Sequence, residues 1–118
     1  MMLPFARLTV IGLGLIGSSV ARAVRANMPA VRITGFDADA DVRARADALG
    51  ICDDITDTVG TAVIDADLVI LCVPVGAMGA VAEEFATDLP IGAVVSDVGS
   101  CKQSVVEALA AVLPNATI

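Results

Sequence analysis

The chain has 118 residues, 57% of them hydrophobic, and its seven Lys and Arg against fourteen Asp and Glu give a net charge of −7. That length fits one small domain with room for a core, and the acidic balance disfavours nucleic acid and anionic membrane as partners. Cys52, Cys72 and Cys101 show no metal-ligand spacing and the chain has no His, so the expectation is no metal and reduced thiols in a cytoplasmic protein.

Leu8 to Ile11 reads as a buried strand that runs into Gly12-Leu13-Gly14-Leu15-Ile16-Gly17 and the start of a helix. In such a unit the first glycine allows the tight turn and the second lets a pyrophosphate approach the backbone. The third lets helix and strand pack closely, with the anion at the helix N-terminus. Arg7 ahead of an apolar run and Ala21-Arg22-Ala23 imitate a signal peptide, but the glycine fingerprint explains the run better. Ile16, Val20 and Val24 recur at i, i+4 and i+8, which predicts them as the inward row of this helix, with Arg22 and Arg25 on the other side. Asn27 and Pro29 end it.

Val31 to Phe36 reads as the second strand and leads into Asp37, 20 residues past Gly17, where an acceptor for a ribose 2′-OH belongs. Ala38 follows with no adjacent Arg, which favours NAD over NADP. Asp39 is expected to cap a second helix in which Val42, Ala46 and Leu49 keep the period, Asp41 and Arg45 pair at i, i+4, and Gly50 is the stop.

Between Ile51 and Val63 only a short strand near Ile55 and a short helix after Thr58 are expected. Leu68 to Val73 is a continuous apolar run of the kind that forms a parallel strand buried on both faces, and Pro74 ends it. The uncharged stretch as far as Ala82 is broken by Pro74, Gly76 and Gly79, so no membrane span is expected. Ala77 to Ala86 reads as a helix, Ala93 to Ser96 as a strand and Lys102 to Leu113 as a helix closed by Pro114. Thr117-Ile118 opens a sixth strand.

This alternation predicts one domain over residues 1–118, a Rossmann-type α/β fold. Its doubly wound parallel sheet runs in the order 3-2-1-4-5 inside a three-layer α/β/α arrangement. Ligands bind such sheets beyond the carboxyl ends of the strands, at the topological switch point. The candidate cofactor-binding residues are therefore Gly12, Gly14, Leu15, Ile16, Gly17, Asp37, Val73, Pro74 and Ser100, and the cofactor is NAD. With Gln103 three residues on, Ser100 also forms a capping box. Lys102 in the first helical turn opposes the helix dipole and points to an anion nearby.

Four stretches carry a family resemblance: Gly12 to Ser19, Gly35-Phe36-Asp37, Ala66 to Pro74, and Ser96-Asp97-Val98-Gly99-Ser100-Cys101-Lys102. In order and spacing, over essentially the whole chain, they resemble the nucleotide-binding half of the prephenate/arogenate dehydrogenase family. The resemblance implies an NAD-dependent oxidoreductase that oxidatively decarboxylates prephenate or arogenate in tyrosine biosynthesis. It places Ser100 beside the nicotinamide as a catalytic residue that orients a histidine, and it puts that histidine after residue 118. A substrate-binding arginine is implied in a following helical dimerisation domain, which makes the full-length protein a homodimer and leaves this chain alone to bind cofactor without turnover. Two other readings stay open on the residues themselves. One is another NAD(P)-dependent dehydrogenase, such as a β-hydroxyacid dehydrogenase, against which the Asp97 to Lys102 element argues. The other is a regulatory nucleotide-sensing Rossmann domain, which needs no catalytic serine.

Overall fold

Short runs of β-branched and aliphatic residues alternate with helical stretches, and in the computed structural model, which describes residues 5–97, each run becomes a strand of one parallel sheet. In chain order the elements are β1 (Arg7–Ile11), α1 (Leu15–Asn27), β2 (Arg32–Phe36), α2 (Ala40–Leu49), β3 (Asp54–Ile55), α3 (Val59–Val63), β4 (Leu68–Leu71), α4 (Val75–Phe85) and β5 (Val94–Asp97). The sheet order is β3-β2-β1-β4-β5, as the alternation predicts, and every pairing is parallel. Ser100, Lys102, the helix expected over residues 102–113 and the sixth strand at Thr117-Ile118 lie outside the described residues.

The pleat of the central strands divides the core between two faces. Leu8 and Val10 of β1 and Ile33 of β2 pack with Ala21 and Val24 of α1 and Ala46 of α2. On the other face Ile11, Val69, Leu71 and Val95 pack with Val59 and Val63 of α3 and Met78, Ala82 and Phe85 of α4. Helices therefore cover both sides, which is why β4 reads as unbroken Leu-Val-Ile-Leu rather than as an alternation. Thr9 is the buried polar residue of β1, and its hydroxyl donates to the Ala62 carbonyl at 2.6 Å.

Capping agrees with the sequence. The Asp39 carboxylate accepts from the Asp41 N–H at 2.8 Å and Gly50 closes α2 in the left-handed region at φ 65°. Four details depart from expectation. The buried face of α1 is Gly17, Ala21 and Val24, while Ile16 is 56% exposed. The contact between Gly17 and the preceding turn sets that rotation. Leu49, in the last turn of α2, is 58% exposed. β4 stops at Leu71 and α4 starts at Val75, so Cys72 to Pro74 form a connection rather than strand. Asp41 and Arg45 form no ion pair among the described residues, where the bridges are Arg7 to Asp65, Arg25 to Asp53 and Arg32 to Asp54.

Asp53 ties the outer layer to the sheet. Its Oδ2 accepts from the Ile33 N–H at 2.8 Å and its other oxygen lies 3.3 Å from the Arg25 guanidinium of α1. The Ile33 hydrogen bond, helped by the Arg25 charge, holds this carboxyl below its usual range despite the opposing effect of burial. A carboxylate whose folded pKa is depressed contributes stability above its unfolded pKa, about 3.9, and loses that contribution as pH falls through the folded value. Asp53→Asn is thus expected to be less stable than wild type at pH 7, with the gap closing as the pH is taken below about 4. Urea unfolding at both pH values measures this, and a gap independent of pH would rule out the charge as its source.

Candidate functional site

β1 ends between β2 and β4, and the helices that follow β1 and β4 leave toward opposite faces of the sheet. The chain just past Ile11 therefore sits at the switch point. Here the Gly12 N–H donates to the Phe36 carbonyl at 2.8 Å and the Cys72 N–H donates to the Ile11 carbonyl at 2.7 Å. Gly12 has φ +98°, and a Cβ on it would fall 2.4 Å from the Cys72 carbonyl oxygen and 3.2 Å from Cγ1 of Val73. A Cβ on Gly17 would lie 1.7 Å from the Gly12 carbonyl oxygen. Both glycines are demanded by the polypeptide's own close approach.

Gly14 is not. Its φ is −71°, within reach of any residue, and a Cβ there would meet, chain neighbours aside, no atom of the described residues within 4 Å. It is the N-cap of α1 and provides no side-chain cap, and the N–H groups of Gly14, Leu15 and Ile16 find no acceptor among the described residues. Unpaired N–H groups at the positive end of a 13-residue helix, beside an open backbone, make a cradle for an anion. Leu15, 87% exposed, and Ile16 surround it with apolar surface.

Asp37 reaches this turn from the end of β2. Its Oδ2 accepts from the Leu13 N–H at 2.8 Å and its Oδ1 from the Asp39 N–H at 2.9 Å. An ionised carboxylate has about four acceptor sites, so both oxygens retain capacity for ribose hydroxyls. Arg43, which sequence reasoning passed over, donates from Nη1 to the Asp37 carbonyl at 2.7 Å, and its guanidinium carbon lies 6.0 Å from the centroid of the Phe36 ring. No cation adjoins Asp37 in sequence, yet one is held against its backbone. The available signal was helical: Arg43 lies one turn past the Asp39 cap and its N–H bonds the Asp39 carbonyl at 3.1 Å.

Past β4, half-buried Val73 lies against the glycine turn, and exposed Pro74 is the N-cap residue of α4, its carbonyl accepting the Ala77 N–H at 2.8 Å. Burial raises the Cys72 thiol pKa. The structure thus brings Gly12, Gly14, Leu15, Ile16, Gly17, Asp37, Val73 and Pro74 to the carboxyl ends of β1, β2 and β4. Of the stretch that follows the fifth strand, Asp97 pairs in register with Leu71, and Ser100 lies outside the described residues. Among the described residues no cluster of three His, Cys, Asp or Glu side chains is arranged for a metal, and no helix is long and apolar enough to cross a membrane.

Residues 20–118 match the family model of the prephenate dehydrogenase nucleotide-binding domain. The chain belongs to that family. Cyclohexadienyl dehydrogenase of Zymomonas mobilis is 49% identical to it over 111 residues, which is 94% of this chain and 38% of that protein. Prephenate dehydrogenase of Bacillus subtilis is 39% identical over 105 residues, 88% of this chain and 28% of that protein. The chain therefore spans well under half the length of these relatives. Among solved structures, prephenate dehydrogenase from Aquifex aeolicus in complex with hydroxyphenyl propionate and NAD+ superposes with a TM-score of 0.89 at 27% identity, covering 98% of this chain and 41% of that one. Synechocystis arogenate dehydrogenase, at 24% identity with a TM-score of 0.82 over 90% of this chain and 37% of its own, shares the fold.

Proposed function

We propose that this chain is the NAD-binding domain, residues 1–118, of a cytoplasmic dehydrogenase of tyrosine biosynthesis that oxidatively decarboxylates prephenate or arogenate. The observation that carries the reading is Gly14: among the described residues nothing crowds a side chain there, and the helix behind it offers uncapped N–H groups. A pyrophosphate supplies the anion that such a turn accommodates. Membership of a nucleotide-binding family and the NAD+ held by the superposed Aquifex aeolicus enzyme support the same assignment.

In this reading Gly14, Leu15 and Ile16 present their N–H groups to the pyrophosphate while Gly12 and Gly17 shape the turn. Asp37 accepts from the ribose hydroxyls, and Val73 and Pro74 flank the nicotinamide half. NAD, when bound, supplies the hydride acceptor. Ser100 is proposed from the family resemblance to stand beside the nicotinamide as the catalytic hydroxyl that orients a base. No histidine occurs in these 118 residues, so general-base work and recognition of the substrate carboxylate are assigned to a helical domain beyond them, which also makes the homodimer. A net charge of −7 agrees with that division, since an acidic domain is a poor sole binder of an anionic substrate.

Titration with the two reduced cofactors tests the assignment. NADH is expected to bind at least about tenfold more tightly than NADPH, about 1.4 kcal/mol, because the Asp37 carboxylate repels a 2′-phosphate. Asp37→Ala should narrow the ratio, since it removes the repulsion along with the ribose acceptor. Tighter binding of NADPH by the wild-type chain would overturn the proposal for this cofactor.

A further inference from the structure

Leu13 is held from two sides. Its side chain is buried, seated so that a Cβ on Gly35 would come within 3.1 Å of both its terminal carbons. Its N–H donates to Asp37 Oδ2 at 2.8 Å, and its carbonyl accepts the Ser18 hydroxyl at 3.0 Å. These bonds fix two successive peptide planes, the Gly12–Leu13 plane from the end of β2 and the Leu13–Gly14 plane from the first turn of α1.

The second of these is unusual for a helical serine. Serine hydroxyls within helices return to the carbonyl three or four residues back, as Ser19 does to Leu15 at 2.9 Å. Ser18 instead reaches five residues back, past the N-cap and into the turn. A trans peptide directs its N–H opposite to its C=O. By drawing the Leu13 carbonyl toward the helix, the Ser18 hydroxyl turns the Gly14 N–H the other way, and that N–H has no acceptor among the described residues.

We propose that Ser18 is a positioning residue for the cofactor, its hydroxyl holding the Leu13–Gly14 peptide so that the Gly14 N–H is presented to the pyrophosphate. The inference rests on the nucleotide-binding reading above. Ser18 touches the ligand only through that peptide, and Asp37 holds the preceding peptide in the same way. The phosphate turn and the ribose acceptor thus share one anchored residue.

The test is titration of the full chain and of its Ser18→Ala and Ser18→Thr variants with NADH, with ADP-ribose and with adenosine, which carries no phosphate. Loss of one neutral hydrogen bond is expected to weaken NADH and ADP-ribose by roughly 3- to 10-fold in Ser18→Ala, leaving adenosine within about twofold of wild type. Ser18→Thr keeps the hydroxyl and is expected to restore NADH binding. Unchanged NADH affinity in Ser18→Ala overturns the proposal, as does an equal loss for adenosine or a threonine variant no better than alanine. A wild-type chain that binds none of the three ligands removes the cofactor assignment itself, and the positioning role with it. That result is distinct from one in which wild type binds and the variants do not differ.

Discussion

Gly14→Val is expected to yield a folded protein that no longer binds NADH. The backbone at Gly14 is extended, with φ −71° and ψ −158°, so no left-handed φ reserves the position for glycine. Chain neighbours aside, the added side chain meets no atom of the described residues within 4 Å at its Cβ, and no capping bond is lost because Gly14 makes none through a side chain. The cost to the fold is therefore limited to a poorer N-cap, about 1 kcal/mol. Binding suffers far more. The isopropyl group fills the volume that the pyrophosphate requires and screens the N–H groups of Gly14, Leu15 and Ile16. A loss of at least about 100-fold, about 2.8 kcal/mol, is expected. Circular dichroism reports the fold and NADH fluorescence the binding, undisturbed by Trp or Tyr, which the chain lacks. A folded variant that bound NADH as wild type does would show that this glycine serves no ligand.

The features that could be read from the sequence are those written in local patterns. Glycine spacing announces a strand, a turn and a helix, the carboxylate 20 residues on marks the next strand end, and the apolar run of β4 reports burial on both faces. The rotation of α1 could not be read that way. Hydrophobic periodicity weights Ile16 and Val20 and gives no weight to Gly17 and Ala21, yet the small residues face β1 because only they allow the helix axis so close. Ile16 is thereby turned outward, to the rim of the cradle. Leu49 is a separate case: it keeps the helical period with Val42 and Ala46, yet of the three only Ala46 is buried and Leu49 stays exposed in the last turn of α2.

Ser18 and Arg43 were missed on different grounds. Each donates to a main-chain carbonyl, Leu13 and Asp37 respectively, and a carbonyl leaves no trace in the choice of residue at its own position. Such partners are fixed by tertiary placement. Thr9 is similar: in a strand whose other core-facing residues are Leu, Val and Ile, its hydroxyl makes sense only once α3 brings the Ala62 carbonyl over it. For Gly12, Gly14 and Gly17 the motif's order already suggests different roles, and the structure adds the distances: a Cβ on Gly12 or Gly17 would strike backbone, while one on Gly14 would meet, chain neighbours aside, no atom of the described residues within 4 Å.

Gly17→Ala is expected to have the opposite outcome to Gly14→Val, a loss of stability that precedes any loss of binding. The new methyl would stand 1.7 Å from the Gly12 carbonyl oxygen, 2.8 Å from its carbonyl carbon and 3.4 Å from Cγ1 of Val10. The first two are backbone atoms, and they cannot swing aside as a flexible side chain does. Gly12 is itself pinned by its N–H bond to Phe36 and by its crowding against the Cys72 carbonyl. Relief must come from α1 moving off β1, which separates Ala21 and Val24 from Leu8, Val10 and Ile33 in one half of the core. Overpacking of this kind costs about 3 kcal/mol or more when backbone has to shift, against a total stability of roughly 5–15 kcal/mol. For a domain near 100 residues each kcal/mol moves Tm by about 4–8 °C, so a drop of about 12 °C or more is expected in a thermal melt. Residual NADH affinity, measured well below the new Tm, should fall less steeply than in Gly14→Val, because the anion's own space stays open. A Gly17→Ala protein as heat-stable as wild type would mean that helix and turn do not meet at the distance that fixes the whole site.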